Sequence, residues 1–311
     1  MDEFAINTRN STNEIRNSLI FVSTVYIPLD FVIICGNAFV LMVIHRTPSL
    51  QQPQFTLLAS LALVDLLTGI IGVPTFVWGL VVRGSLLLQN VVDCQLQYIP
   101  VKFFVSASFL HLIFITADRY VAIIKPLRYG QIITQTRIYC AIVFSWILAG
   151  LYASVQVFWK TKRIEGIFLC YQMNPQGFEV QRRLILIIIP TGVVILIIMY
   201  FRIFMEARKH RNAIAAAQNA FDTQTSAHKK FKAAKTSALM VCLFAVAYVP
   251  YSVRVVIFLF GFERSDIYWY ELMSEVLLCS SSAINPFIYV FRHRQFSSAL
   301  RRLMKNYVNR D

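Results

Sequence analysis

Residues 114–129, FITADRYVAIIKPLRY, set an acid beside a base, Asp118 and Arg119, inside a long apolar run with no Gly or Pro in the stretch before them. Other ionic groups stand in equally apolar surroundings: Asp30, Asp65, Lys102, Arg254, Glu271 and Glu275. Catalysis would require a nucleophile with its base or a metal-holding set, and no HExxH or comparable cluster occurs. A channel or transporter would require a chain of polar residues through the apolar thickness, and Asp30, Asp65 and Lys102 are too sparse to line one. What a few charges in an apolar setting can do is pair with one another, holding packed helices in one arrangement and releasing them in another.

The elements that position these groups follow from composition. With 57% hydrophobic residues, only 15% charged and a mean hydropathy of +0.58, the 311-residue chain has too little polar surface to coat a water-soluble globule. Its apolar stretches, at 19–44, 55–82, 95–124, 138–158, 184–205, 236–260 and 268–291, meet the length of about 20 residues that a spanning helix needs. They are too long and too weakly alternating for the strands of a membrane barrel. The expected fold is an all-α membrane protein, a seven-transmembrane helix bundle. No internal repeat relates its halves, which also weighs against a repeat-built transporter.

Lys and Arg set the orientation. The segments 45–54, 125–137, 202–235 and 292–311 hold eighteen of them against nine in the opposite set, so the N-terminus is expected outside the cell. The net charge of +14 then reads as a cytoplasmic fringe facing anionic lipid and acidic partners, with no nucleic acid implied. Residues 1–18 form an extracellular segment carrying the acceptor sequon Asn10-Ser11-Thr12, and no cleavable leader is evident. Residues 19–291 form the membrane domain, and 292–311 a cytoplasmic tail. There RHRQFSSALRRLMKN places Phe296, Leu300, Leu303 and Met304 on one face, a short amphipathic helix on the inner membrane surface. Of six cysteines, Cys35, Cys140, Cys242 and Cys279 lie within spans and read as small buried hydrophobes. Cys94 and Cys170 fall at or beyond the outer ends of spans, in oxidising surroundings, where a disulfide is expected.

Taken in order, Asn37 after Gly36, LALVD ending at Asp65, Cys94, Asp118-Arg119-Tyr120, Trp146, Pro250, and NPFIY with Asn285, Pro286 and Tyr289 resemble the rhodopsin-like class of G-protein-coupled receptors along essentially the whole chain. DRYVAIIKPLRY, YFRIFMEARKH, AAKTSALMVCLFAVAYVP and INPFIYVFRHRQF are similar to adenosine receptors and their neighbours. The resemblance implies a plasma-membrane receptor that passes the binding of a small extracellular ligand to a heterotrimeric G protein. A receptor that binds without signalling, as decoy or scaffold, is the alternative. At the inner face Arg119 would leave Asp118 and join Tyr200 and Tyr289, with Tyr120 adjacent and Leu127 supplying an apolar contact to the partner. The residue twenty before Pro250, acidic in many relatives, is Lys230, so raised basal signalling is expected. Pro190 stands ten residues before Tyr200 where eight is usual, which would displace the bulge of the fifth span.

The ligand end departs from the adenosine pattern. Tyr171 and Gln172 follow Cys170 in place of a Phe-Glu pair, Val255 stands at the place of an Asn, and Cys279 at that of a His, so the matched polar groups a purine needs are missing. Cys279 also holds the place of the opsin Schiff-base Lys. Val101, eighteen residues before Arg119, stands where amine receptors carry an Asp. The candidate pocket therefore comprises Lys102, Val105, Ser106, Tyr171, Tyr248, Tyr251, Arg254, Val255, Glu275 and Cys279, with Tyr248 in place of the usual Trp. Its cations and acids either clasp one another or meet an ionic ligand, a zwitterion or small anion suiting Lys102 and Arg254 best. Deeper, the resemblance implies that Asp65, with Ser108, Ser281, Ser282, Asn285 and Asn37 about it, holds sodium as a modulating ion, the alternative being a water network around a protonated Asp65. No other cofactor is expected.

Overall fold

The computed structural model describes Asn17 and residues 20–84, 91–155, 175–216, 246–257, 260, 268–292 and 294–308. All regular structure among these residues is helical. In order, the helices are α1 (Ile27–Arg46), led in by a π-helical turn over Val22–Tyr26; α2 (Pro53–Leu67); α3 (Val73–Gly84); α4 (Val91–Ile124); α5 (Gln135–Ser154); α6 (Pro175–Ala216); α7 (Val246–Ile257); α8 (Tyr268–Arg292); and α9 (Arg294–Val308). In lipid each backbone N–H and C=O must find its partner within its own segment, which leaves Val-, Ile- and Leu-rich runs no alternative to the helix.

Among the described residues, five helical stretches are long and apolar enough to cross a membrane alone: Val22–Arg46, Pro53–Gly79, Ile99–Ile124, Gln135–Ser154 and Arg183–Glu206. α8 is the last span, and α7 is the described part of the sixth. The second span begins with Pro53 at the first helical position, where its missing N–H removes nothing, and joins α2 to α3 through a π-helical stretch, Thr68–Gly72. Gly69 within it permits the close approach of α1, since a Cβ there would lie 2.6 Å from Ile34 Cγ1.

α4 is the hub, packing on α2, α3, α5 and α6, while α1 packs on α2 and α8. Gly192 of α6 makes room for the ring of Phe109, which a Cβ would overlap. α6 runs through Pro190 without an assigned π-helical turn, so the displaced bulge expected there is not found. The Thr134 side chain caps α5 by accepting from the Arg137 backbone N–H. The Arg137 guanidinium in turn donates to the carbonyls of Gln131 and Ile132, closing the one-turn helix Tyr129–Ile132. α9 follows α8 after a 78° turn and seats Phe296 and Ala299 in a core cluster with Val40, Leu57 and Tyr289, with Arg301, Arg302 and Lys305 exposed.

Cys279 is buried, but Cys35 and Cys140 are exposed on the bundle's outer face, contrary to the reading of both as buried. Lipid is as apolar as the core, so residue type does not separate the two. Asn10, Cys170, Tyr171, Lys230 and Cys242, and the side chains of Cys94 and Met304, lie outside what is described.

Candidate functional site

Three polar centres are strung along α4. At its C-terminal end the Arg119 Nη2 lies 2.6 Å from Asp118 Oδ2, and the Nε donates to the same oxygen at 2.9 Å. Asp118 is buried, and its other oxygen accepts from Tyr129 Oη at 2.7 Å. Burial, and then the bond to Asp118, push the Tyr129 phenol above its ordinary pKa, so it remains a donor throughout the physiological range. Arg119 also donates through Nη2 to Gln54 Oε1 at 2.7 Å, and the Gln54 amide donates onward to Gln295 Oε1 at 3.2 Å. Arg119 is thereby tied to the start of α2 and, through it, to α9. Tyr200 is directed elsewhere in this arrangement: the Thr116 hydroxyl donates to Leu112 O, so its contact with Tyr200 Oη at 3.3 Å has the phenol as donor. Tyr289 Oη is buried without a hydrogen-bond partner, Tyr120 is partly buried, and Leu127 is 98% exposed.

In mid-bundle the fully buried Asp65 accepts three hydrogen bonds, from Ser282 Oγ at 2.7 Å, Asn285 Nδ2 at 2.7 Å and Ser108 Oγ at 3.1 Å. Ser281 does not take the part expected of it; its hydroxyl donates to Leu278 O within its own helix, and Ser282 is the serine that meets the carboxylate. Asn37 donates to Ile33 O and Ser282 O, which leaves its buried Oδ1 unpartnered beside this centre. Sequence reasoning passed over a neighbouring network: His111 Nδ1 lies 2.7 Å from Ala107 O and Nε2 2.8 Å from Ser60 Oγ. A carbonyl only accepts, so Nδ1 carries the proton and, in the neutral ring, Nε2 accepts from Ser60, which receives Trp146 Nε1 at 3.5 Å. A lone His in the DRY-bearing span was the available signal. Asp30 Oδ1 is buried without a hydrogen-bond partner against Gly69.

Toward the other end of α4 lies a cavity of about 230 Å³. Lys102, Val105, Ser106, Tyr248, Tyr251 and Glu275 line it, as expected of them. Arg254, Val255 and Cys279 do not. Val255 packs with Ile185, Leu196 and Leu278, and Cys279 with Tyr26, Val73 and Val101. Arg254 is buried between two acids, 2.8 Å from Glu275 Oε1 and 3.7 Å from Glu271 Oε1, its guanidinium 4.4 Å from the Tyr251 ring centroid. Of the two readings of these charges, the clasp is the one observed for Arg254. Phe109 and Tyr248 stack with ring centroids 5.4 Å apart, and Tyr248 Oη donates to Val105 O at 3.1 Å.

The described helices form a transmembrane bundle with an ionic centre at one end of its hub helix, a buried carboxylate in mid-span and a cavity beyond it. The chain belongs to the 7 transmembrane receptor (rhodopsin family), whose pattern matches residues 36–289. It is similar to adenosine receptor A3 of Bos taurus, 26% identical over 305 residues that cover 95% of this chain and 93% of the relative. It is likewise similar to trace amine-associated receptor 8c of Mus musculus, 31% identical over 294 residues, 88% of this chain and 83% of the relative. Adenosine receptor A2b of Rattus norvegicus is 26% identical over 309 residues, 91% and 90%. The protein is thus a G-protein-coupled receptor and not an enzyme.

Proposed function

We propose that this receptor holds a small extracellular molecule in the cavity lined by α3 to α8 and passes its binding to a heterotrimeric G protein through Arg119. The single observation that carries this reading is the shared helix. Phe109 of the cavity wall and Arg119 are ten residues apart on α4, about 15 Å at 1.5 Å per residue, so a shift of α4 at one end reaches the other. A ligand favouring the arrangement in which Arg119 has left Asp118 and Gln54 for Tyr200 and Tyr289 raises its population by its difference in affinity. Leu127, exposed beside that end, is the apolar contact for the partner.

Adenosine is disfavoured as ligand, since Val255 and Cys279 supply no purine anchor and do not line the cavity. The test is GDP release from a panel of G-protein subtypes by the full chain in nanodiscs, with and without adenosine and with lipid and metabolite panels. Release accelerated for at least one subtype is expected. None under any condition would refute signalling and leave a receptor that binds without transducing.

Asp65 with the hydroxyl oxygens of Ser108 and Ser282 forms an oxygen-donor set suited to sodium, and the unpartnered Asn37 Oδ1 fits a hydrated cation beside it. The ion would supply the positive charge that a mid-membrane carboxylate lacks. In the same assay, replacing a bulky organic cation by sodium is expected to lower basal release roughly fivefold or more, an effect absent in Asp65→Asn. Equal sodium sensitivity in both would reject the site.

The orientation that serves this function has residues 1–18 outside the cell with Asn10 as glycan acceptor, Cys94 joined to Cys170, and 292–311 against the inner leaflet of the plasma membrane. An epitope at the amino end is expected to stain intact cells; staining only after permeabilisation reverses the topology.

A further inference from the structure

The cavity's polar groups are largely occupied within the protein. Ser106 Oγ donates to Lys102 O at 2.6 Å, Tyr248 Oη to Val105 O, and Glu275 is bound to Arg254. Apart from the Lys102 ammonium and the hydroxyls of Tyr152 and Tyr251, the rest of the wall is hydrocarbon and aromatic ring. Its boundary on one side is unusual. Leu148 of α5 and Ile188 of α6 line the cavity and are also 39% and 40% exposed, each next to a residue that faces outward, Ile147 and Ile187. α5 and α6 each pack on α4, but close backbone packing between the two is nearly absent among the described residues. Leu148 and Ile188 thus border both the cavity and the outer face of the bundle.

We propose that the ligand is a compact, uncharged, apolar molecule that partitions into the bilayer and reaches the cavity laterally, between Leu148 and Ile188. This rests on the reading of the cavity as the ligand site. A cavity of about 230 Å³ suits a compact molecule. Lys102 contributes an aliphatic stem to the wall and a donor-only ammonium with interactions of its own, so a polar function facing it must be an acceptor. One hydroxyl or carbonyl oxygen is thus the polar function the molecule carries. A medium-chain alcohol has this chemistry; a polyol or nucleoside, with many groups to satisfy, does not.

The experiment uses an octanol analogue bearing a diazirine, photolysed with the full chain in nanodiscs, its adducts mapped by mass spectrometry. Val105, Phe109 and Ile189 are expected to label several-fold more strongly than the outward-facing Ile195 and Ile197, which report simple lipid partitioning. Leu148→Trp with Ile188→Trp is expected to lower cavity labelling at least fivefold relative to those reference positions, and Ile188→Ala to raise its rate. The Ala variant keeps the test decisive should the Trp pair fail to fold. Cavity labelling no stronger than at Ile195 and Ile197 would reject the apolar ligand. Cavity labelling unchanged in Ile188→Ala and in a folded Trp pair would reject the lateral route. GDP release by the unsubstituted chain, measured on the same preparation, separates the two readings: release without cavity labelling refutes the ligand class alone, and labelling without release refutes signalling alone and leaves a receptor that binds this class without transducing.

Discussion

Arg254→Ala is expected to destabilise the folded receptor by about 3–5 kcal/mol, because breaking a buried ion pair from one side leaves its partner charged and unpaired. Here the partner is double. Glu271 and Glu275 are four residues apart on α8, one turn of helix, and Arg254 of α7 is the cation found between them. Without it two buried carboxylates face each other, and the Tyr251 ring loses the guanidinium beside it. A fall in apparent melting temperature on the order of 5–10 °C in detergent is the expected reading. Adding Glu275→Gln should recover part of it, since a neutral amide is cheaper to bury than a charge. A melting temperature within one degree of the unsubstituted chain, on the order of the noise for a 0.5 kcal/mol change, would show that water reaches the clasp and that it holds nothing. The clasp engages one side of the guanidinium: Nη2 is bound by Glu275, while Nη1, 3.7 Å from Glu271, is buried without a hydrogen-bond partner.

Gln54→Leu is expected to raise basal GDP release. Arg119 in the observed arrangement has two anchors, Asp118 beside it and Gln54 on α2. A hydrogen bond to a charged group contributes about 1.5–3 kcal/mol. Leucine keeps the volume and removes the acceptor, so the closed-to-open ratio should fall roughly 10- to 150-fold. The Gln54 amide also reaches Gln295, which makes α9 part of the same restraint; Gln295→Ala should produce a smaller rise in the same direction. Basal release unchanged in Gln54→Leu at equal surface expression would mean that Asp118 alone holds Arg119. Lys230, whose like charge led the sequence reading to raised basal signalling, lies outside the described residues; Gln54 is a brake that operates irrespective of it.

Much of this was legible in the chain itself. Hydropathy and length set out the spans and their all-helical character, because a bilayer admits few alternatives for a run of apolar backbone. The Asp118-Arg119 dipeptide, Asp65 and the NPFIY stretch marked their own sites, since a charge or a helix-interior proline in such a run is conspicuous wherever it points. The partners were less legible. Gln54 is an ordinary polar residue at a helix start, and only the packing of α2 against α4 brings it to Arg119. Ser281 and Ser282 are adjacent and identical in type, yet only Ser282 meets Asp65. Cys35 and Cys279 look alike in sequence; one faces outward and the other inward.

These differences have one cause. In a water-soluble helix the polar face declares which side is buried, but in lipid both sides are apolar, and the rotation of each helix about its axis leaves little trace in residue type. The sequence by itself determined which segments cross the membrane and which of them carry charge. Tertiary structure decided which way each helix turns, and with that whether Arg254 meets a ligand or Glu275, which serine reaches Asp65, and where α5 and α6 stand apart. Helix rotation is set by packing between segments distant in the chain, where no local pattern records it.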